Sequence, residues 1–222
     1  MGKNIVIITG GQLEPDVLMQ TLTQSVDLII AVDHGLEYLY TMYKQGKCTY
    51  VPNYIVGDFD SVNQAVLSFY RDKLQVTIRQ YNPIKDASDT EIAVHLALEL
   101  GADSITILGG TGTRIDHVLA NIQVLTIPFK VGVTAKILDA HNRIQLIASN
   151  TVLNKKERFG DYFSVFSLGD CVTGLTIQGA KYPLVQHRLL PENSLSVSNQ
   201  FINEEVIISY ETGVLVLIES RD

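Results

Sequence analysis

The sequence predicts an α/β fold, in which an amino-terminal α/β domain with a mainly parallel sheet precedes a carboxy-terminal antiparallel β-sandwich. Two observations predict it. Short β-branched runs alternate with segments of helical period through the first half of the chain, the pattern of β-α units. After about Phe129 the runs become short and strand-like, and glycine, proline and asparagine separate them. This change places the two domains at 1–130 and 131–222.

Five strands and four helices alternate in the first domain, the order of a Rossmann-like sheet. The predicted strands are 4–9, 28–32, 54–56, 76–79 and 104–108, and the predicted helices are 36–45, 62–71, 89–100 and 116–125. Capping boxes that begin at Ser61 and Ser88 mark two helix starts. In the second domain we expect strands at 135–138, 162–168, 172–177, 194–197, 206–210 and 214–219, and no helix.

Composition narrows the range of partners. The 222 residues carry a net charge of -7, so nucleic acid is not expected to bind. No stretch reaches the roughly 18 apolar residues of a membrane span, and Cys48 and Cys171 have no metal-ligand or disulfide spacing. We expect a cytoplasmic protein without a membrane partner. An anionic nucleotide would need local cations, backbone N–H groups or a divalent metal in order to bind.

A first candidate site follows the third predicted strand, at Gly57-Asp58-Phe59-Asp60-Ser61. Carboxylates at positions i and i+2 of an extended loop project to the same side, so Asp58 and Asp60 can reach one hard cation. The alternative is a solvated acidic turn that caps the next helix.

A second candidate lies at Lys85-Asp86-Ala87-Ser88-Asp89-Thr90-Glu91, where Asp89 falls in the first turn of a predicted helix. Both acidic loops would lie at the carboxyl ends of strands, where open α/β sheets bind ligands. The two loops can therefore share one ion, although the second segment also reads as ordinary helix capping.

A third candidate is the glycine-rich loop 109–117 between a strand and a helix. Backbone N–H groups around Gly110, Thr111 and Gly112 can contact phosphate, and Arg114 adds a forked cation. The loop is neither a Walker A motif nor a complete G-x-G-x-x-G fingerprint. A plain strand-to-helix turn is the alternative, and His117 in the first helical turn fits a capping or packing role better than catalysis.

Taken together, in this order and spacing, these segments resemble the bacterial thiamine pyrophosphokinases, also called thiamin diphosphokinases. The matching stretches are Val32-Asp33-His34-Gly35, 57–61, 85–91, 112–117 with Leu119-Ala120-Asn121, and Ser196-Val197-Ser198-Asn199. They extend over nearly the whole chain.

The resemblance implies an α/β domain that binds ATP and Mg²⁺, a β-sandwich that helps to bind thiamine, and a homodimer with active sites between subunits. It also implies a reaction. The hydroxyethyl oxygen of thiamine attacks the β-phosphorus of ATP, which gives thiamine diphosphate and AMP.

The resemblance also implies roles for individual residues. Asp58, Asp60 and Asp89 match metal-binding carboxylates, Ser61 lies in the same phosphate-facing loop, and Asp33 matches an acidic position near the nucleotide. Arg114 and Asp116 match the arginine and aspartate of the family's glycine-rich loop. From the needs of phosphoryl transfer we expect Arg114 to stabilise the transferring group and Asp116 to orient or deprotonate the thiamine hydroxyl, with an ion-pair partner of Arg114 as the alternative role of Asp116. Ser196, Ser198 and Asn199 match the motif associated with the aminopyrimidine of thiamine.

The chain also departs from the family pattern. His34 stands where the family often has glycine, Thr113 replaces a frequent glycine, and there is no tryptophan to stack on thiamine. Two other functions stay open: transfer of diphosphate to another heterocyclic alcohol such as a pterin, and a sensor module that binds nucleotide or thiamine without turnover.

Overall fold

A computed structural model describes residues 2–59, 62–80 and 87–222 of the chain. The chain divides into two compact units, Met1–Ala140 and His141–Asp222. Within the described ranges, no helix has the length and apolar character needed to cross a membrane.

The first unit is built on a parallel sheet. Its strands are β1 (Lys3–Ile8), β2 (Leu28–Val32), β3 (Tyr54–Gly57), β4 (Thr77–Gln80), β5 (Ala102–Leu108) and β6 (Thr134–Leu138). They lie in the order β4-β3-β2-β1-β5-β6, and each pair of neighbours is parallel. The predicted mainly parallel, Rossmann-like sheet is thereby confirmed. The chain reverses its direction of travel across the sheet between β1 and β5, which creates a crevice at the carboxyl ends of those strands.

In the part of the unit that the structure describes, six α-helices accompany this sheet. They are α1 (Pro15–Leu22), α2 (His34–Lys44), α3 (Gln64–Ser68), α4 (Asp89–Glu99), α5 (Ile115–Val124) and α6 (Thr126–Lys130), and a π-helical turn, Phe69–Lys73, continues α3. Ser88 caps α4 as predicted, because its hydroxyl accepts a hydrogen bond from the Glu91 N–H at 3.3 Å. The capping box predicted from Ser61 is wrong, since Asn63 caps α3 through a 2.9 Å bond from the Ala65 N–H.

Apolar side chains cover both faces of the sheet. One cluster joins Val6 and Ile8 of β1 to Leu18 of α1 and Leu36 and Leu39 of α2. The intervening strand residues, such as Ile5 and Ile7, are equally buried, and α4 packs against β1, β2, β3 and β5. Alternate residues of a strand point to opposite faces, so the unit is a helix-sheet-helix sandwich.

Strand β6 belongs to the first unit. It pairs with β5 from Thr134 opposite Ser104 to Leu138 opposite Leu108. The unit therefore continues past residue 130, the boundary predicted from the change of sequence texture. The assignment of separate tasks to the two domains stays a prediction.

The second unit is an antiparallel β-sandwich, as predicted. Its strands are β7 (Asn142–Ile147), β8 (Thr151–Asn154), β9 (Tyr162–Ser167), β10 (Val172–Gln178), β11 (Leu184–Leu189), β12 (Glu205–Ser209) and β13 (Leu215–Ser220). They form the groups β7-β13-β9 and β11-β10-β12-β8, and one apolar cluster that includes Phe163, Val165 and Leu175 fills the space between them. The strand predicted at 194–197 is wrong, because these residues form turns.

Candidate active site

A cavity of about 770 Å³ opens at the carboxyl ends of β1, β2 and β5. Segments 9–12, 32–34, 88–90 and 109–114 line it, together with three residues of α5, His117, Val118 and Asn121. This is the point where the order of the strands reverses, the usual place for ligands in open α/β sheets. Both the glycine-rich loop and the helix start at Asp89 therefore border a single cavity.

Two loops of the cavity wall are joined by backbone hydrogen bonds. The Gly11 N–H donates to the Gly109 carbonyl at 3.0 Å, and the Gln12 N–H donates to the Thr111 carbonyl at 2.8 Å. A Cβ atom at position 11 would lie 2.2 Å from both carbonyl oxygens, so only glycine permits this approach. The first loop thereby holds the glycine-rich loop in place.

Side chains fix the glycine-rich loop from its other side. Asn121 on α5 is buried and donates from Nδ2 to the Gly110 carbonyl at 2.8 Å, and the Thr111 hydroxyl donates to Asp139 Oδ2 at 2.7 Å. Within the described ranges, the N–H groups of Gly110, Thr111 and Gly112 donate no hydrogen bond. Three predicted phosphate-binding residues thus offer backbone donors at the cavity wall.

The acidic side of the site is centred on Asp33, which follows β2. Asp33 Oδ1 is buried and has no hydrogen-bond partner among the described residues. The carboxylate lies so close to β3 that a Cβ atom on Gly57 would be 1.9 Å from Oδ1. Burial is the largest cause that raises the pKa of Asp33 to about 7, followed by a hydrogen bond with Asp89 and by the negative charges of Asp89 and Asp58. Three carboxyl groups are therefore close neighbours.

These carboxylates alone do not form a complete metal site. In the part of the chain that the structure describes, no three His, Cys, Asp or Glu side chains are arranged to hold one ion. Asp60 and Ser61, a predicted metal ligand and a predicted phosphate contact, lie outside the described residues. Mg²⁺ in phosphate-transferring sites commonly takes one or two carboxylates and completes its shell with phosphate oxygens and water. The partnerless Asp33 oxygen beside Asp58 and Asp89 fits such a cation.

Arg114 and Asp116 form an ion pair at the start of α5. Arg114 Nη2 lies 2.5 Å from Asp116 Oδ2, and Nε lies 3.3 Å from Oδ1. The hydrogen bonds with Arg114 lower the pKa of Asp116. Both side chains are largely exposed, and Arg114 lines the cavity. The guanidinium and carboxylate are held together as a unit, and both have edges left for a ligand.

The predicted thiamine motif lies in the second unit, where two of its side chains are used by the fold. Ser196 is buried and its hydroxyl donates to the Val165 carbonyl at 2.6 Å. Asn199 is buried, accepts from the Tyr182 N–H and donates to the Tyr182 carbonyl, both at 2.9 Å. Ser198 lies between them in a left-handed conformation with a φ of 56°. The motif builds a rigid turn, and direct contact with thiamine stays a prediction.

Comparison with known proteins assigns the chain to a family. The sequence profile of the thiamin pyrophosphokinase catalytic domain matches residues 19–137, more than half of the chain. The profile of the vitamin B1 binding domain of thiamin pyrophosphokinase matches residues 149–215. The chain belongs to the thiamin pyrophosphokinase family. The resemblance that was found from the motifs is thus confirmed.

Relatives match along their full length. The thiamine pyrophosphokinase of Bacillus subtilis is 32% identical over 223 residues, which cover 99% of this chain and 100% of that protein. The crystal structure of thiamine pyrophosphokinase from B. subtilis superposes with a TM-score of 0.85 over 99% of this chain and 100% of that one, at 31% identity. That of Geobacillus thermodenitrificans reaches 0.82 over 99% and 98%, at 27% identity.

Sequence reasoning missed one wall of the site. Gly10, Gly11 and Gln12, which follow β1, line the cavity, and the N–H groups of Gly11 and Gln12 donate to the glycine-rich loop. A pair of glycines directly after a buried strand was the available signal, since such glycines permit close backbone approach. His34, singled out only as a departure from the family pattern, also lines the cavity.

Replacement of Asp33 by asparagine is predicted to raise the thermal stability of the metal-free chain, and more at pH 8 than at pH 5. Burial and neighbouring carboxylates raise the Asp33 pKa from 3.8 to about 7, so folding disfavours the ionised form. The loss in free energy of unfolding caused by Asp33 grows as the pH rises from 3.8 to about 7, and it reaches its full size above the pKa of the folded state. Thermal unfolding in EDTA at both pH values measures it.

The exposed Asp72 provides the control, because Asp72→Asn removes a carboxylate outside the cluster. An Asp33→Asn effect that is equal at pH 5 and pH 8 would contradict the prediction.

Proposed function

We propose that the chain is a thiamine pyrophosphokinase, a transferase that moves the diphosphate group of ATP to the hydroxyl of thiamine and so makes thiamine diphosphate and AMP. Family membership carries this proposal. The profiles for the catalytic and vitamin B1 binding domains match in the expected order along one chain. The cavity at the point of strand reversal supplies a site of suitable size and chemistry for a nucleotide.

The triphosphate of ATP binds along the glycine-rich loop. The N–H groups of Gly110, Thr111 and Gly112 donate to its phosphate oxygens, and Arg114 supplies a positive charge at the cavity wall. Asp33 contacts the nucleotide, and Ser61, which lies in the acidic loop, contacts one of its phosphate groups. The unused donors at the cavity wall support this orientation.

Mg²⁺ would be held by Asp58, Asp60 and Asp89. The partnerless oxygen of Asp33 and the crowding of carboxyl groups around it support a cation at this place. When bound, the ion neutralises charge on the phosphates and helps to align them. The carboxylates of the chain fix its position, and phosphate oxygens or water complete its shell.

Transfer needs the thiamine hydroxyl in line with the β-phosphorus. A bond forms from the hydroxyl oxygen to that phosphorus, the hydroxyl proton passes to water, the bond to the oxygen shared with the α-phosphate breaks, and AMP leaves. Arg114 stabilises the transferring group. Asp116 accepts a hydrogen bond from the hydroxyl and orients it. Its lowered pKa makes it a weak base, so we assign orientation to Asp116 ahead of proton removal.

The turn at Ser196, Ser198 and Asn199 contributes to the thiamine site. Ser198 is exposed, whereas Ser196 and Asn199 hold the turn through their bonds to Val165 and Tyr182. Phe201, an aromatic residue close to this turn in sequence, is only 8% exposed and packs against Phe163. It serves the core of the sandwich.

One experiment tests the reaction against its alternatives. The chain is incubated with ATP, Mg²⁺ and thiamine, and AMP and thiamine diphosphate are measured. Both products in equal amounts are expected. ADP with thiamine monophosphate would contradict diphosphate transfer, and AMP formed only with another alcohol such as a pterin would select a different acceptor. Binding of thiamine or nucleotide without any product would indicate a sensor.

Asp58→Asn and Asp89→Asn are predicted to lower turnover about 100-fold or more, the scale seen when an electrostatic group is removed from a transition-state site. The circular dichroism spectrum should not change, because both replacements keep the shape of the side chain. Asp72→Asn, which changes an exposed carboxylate, is the control and should retain full turnover. Loss of the folded spectrum instead of turnover would show that the carboxylates only cap helices.

Asp116→Asn is predicted to lower kcat about 100-fold with little change in the KM for ATP, because a misplaced nucleophile costs rate rather than nucleotide affinity. Steady-state kinetics with each substrate varied in turn measure both constants. Near-normal turnover of Asp116→Asn would leave Asp116 as no more than the ion-pair partner of Arg114.

We further propose a cytoplasmic homodimer with active sites between subunits. Exposed apolar residues one turn apart on α5 support a second copy, since Ile115 is 64% and Leu119 57% exposed beside Arg114. The two cysteines, both free, fit a reducing compartment.

Light scattering should give a mass near twice the 24.6 kDa of one chain. Leu119→Lys should lower that mass toward one chain, because it places a charge in the apolar contact, while Gln45→Lys at the exposed C-terminal end of α2 should not. A single-chain mass for the unchanged protein would contradict the dimer.

A further inference from the structure

Glu37, in the first turn of α2, connects two segments that border the carboxylate cluster. Its Oε1 accepts a hydrogen bond from the backbone N–H of Asn63 at 2.7 Å. Its Oε2 lies 3.0 Å from Nδ1 of His34. One carboxylate therefore holds a backbone group beyond the acidic loop and a side chain at the cavity wall.

The first contact fixes the position at which the acidic loop ends. Asn63 is the N-cap of α3, two residues after Ser61. Phe59 and Val62, on either side of Asp60 and Ser61 in sequence, are each 4% exposed and belong to the core cluster. The Asn63 N–H precedes the helix and has no helical partner of its own, so Glu37 satisfies it. The bond joins the start of α3 to α2.

The second contact orients His34. This ring lines the cavity and directly follows Asp33, the residue at the centre of the carboxylate cluster. A ring bonded through Nδ1 is restrained and presents its other nitrogen away from Glu37. The side chain of Glu37 itself is 32% exposed and does not line the cavity. It acts through its neighbours.

Simple helix stabilisation is the competing explanation, since an acidic residue in the first turn interacts favourably with the helix dipole. That role needs no specific partner. The two short contacts, at 2.7 and 3.0 Å, favour a connecting role. The hydrogen bond from the Asn63 N–H, and after it the one with His34, lower the pKa of Glu37, so its carboxylate is kept charged.

We infer that Glu37 is a positioning residue, which holds the end of the acidic loop and the His34 ring so that the carboxylates of this edge meet a divalent cation together. The inference rests on the proposed function for the identity of the cation site. It extends that function to a residue outside the cavity, one step farther from the ion than the direct hydrogen-bond partners of metal ligands.

Three variants test the inference. Glu37→Ala removes both contacts, and Glu37→Gln keeps an oxygen that can accept from the Asn63 N–H. Glu99→Ala is the control, since Glu99 is exposed and is the last residue of α4. Binding of Mn²⁺ without substrate is measured by electron paramagnetic resonance. Exchange of the Asn63 amide hydrogen is followed in the same proteins without metal.

Glu37→Ala should weaken Mn²⁺ binding about 10-fold to 100-fold and speed exchange of the Asn63 amide, whereas Glu37→Gln should lie within about threefold of the parent. Glu99→Ala should match the parent. In turnover, Glu37→Ala should raise the metal concentration needed for half-maximal rate without a matching change in the KM for thiamine. If Glu37→Ala does not fold, Glu37→Asp, one methylene shorter, carries the same expectation.

Unchanged Mn²⁺ binding by Glu37→Ala would overturn the inference. An equal loss of Mn²⁺ binding in Glu99→Ala would also overturn it, and so would a parent chain that binds no Mn²⁺. Failure of the proposed function would give a different result. A parent chain that makes no thiamine diphosphate would contradict that function, whereas weaker Mn²⁺ binding by Glu37→Ala would still support the inference.

Discussion

Burial of neighbouring carboxyl groups at one edge of the sheet is the constraint that shapes this site. Asp33 follows β2, Asp58 follows β3 and Asp89 begins α4, and the parallel order of strands brings all three to the same edge. The strands themselves are apolar on both faces, and the three carboxyl groups are half-buried. Half-buried carboxyl groups that lie close together disfavour ionisation, and the divalent cation that we propose would relieve that penalty.

The opposite wall of the cavity has complementary chemistry. There the backbone approaches closely at glycine, N–H groups lack partners within the described ranges, and Arg114 carries positive charge. An anionic triphosphate would meet donors on this wall and a cation on the other, which explains how a chain with a net charge of -7 can accept it. The hydrogen bond from Asn121 to the Gly110 carbonyl holds the glycine-rich wall, and the bond from the Asn63 N–H to Glu37 holds the chain just after the acidic loop. Positioning, rather than a covalent intermediate, is what phosphoryl transfer asks of a protein.

Much of this arrangement was predictable from the sequence, because it depends on local periodicity and on the ends of strands. The parallel sheet and the sandwich were predicted that way, and so were the glycine-rich loop and the helix start at Asp89 that border the cavity. Helix α1 was missed because its N-cap, Glu14, makes no capping bond through its side chain and the helix has only 8 residues. Helix α6 was also missed; it has only 5 residues and carries Pro128 in its first turn, where proline is tolerated. The turn at 194–197 depends on distant partners such as Val165, and so does the Glu37 contact with Asn63. No local pattern reveals contacts of that kind.

The central claim is that carboxylates from separate loops share one divalent ion with the phosphates. A crystal structure with Mn²⁺ and a non-hydrolysable ATP analogue measures this directly through the anomalous signal of the metal. The account predicts an anomalous peak within coordination distance of Asp58 and Asp89, with phosphate oxygens on its far side and the glycine-rich loop around them. A peak bound elsewhere, with these carboxylates turned away from both metal and phosphate, would contradict it.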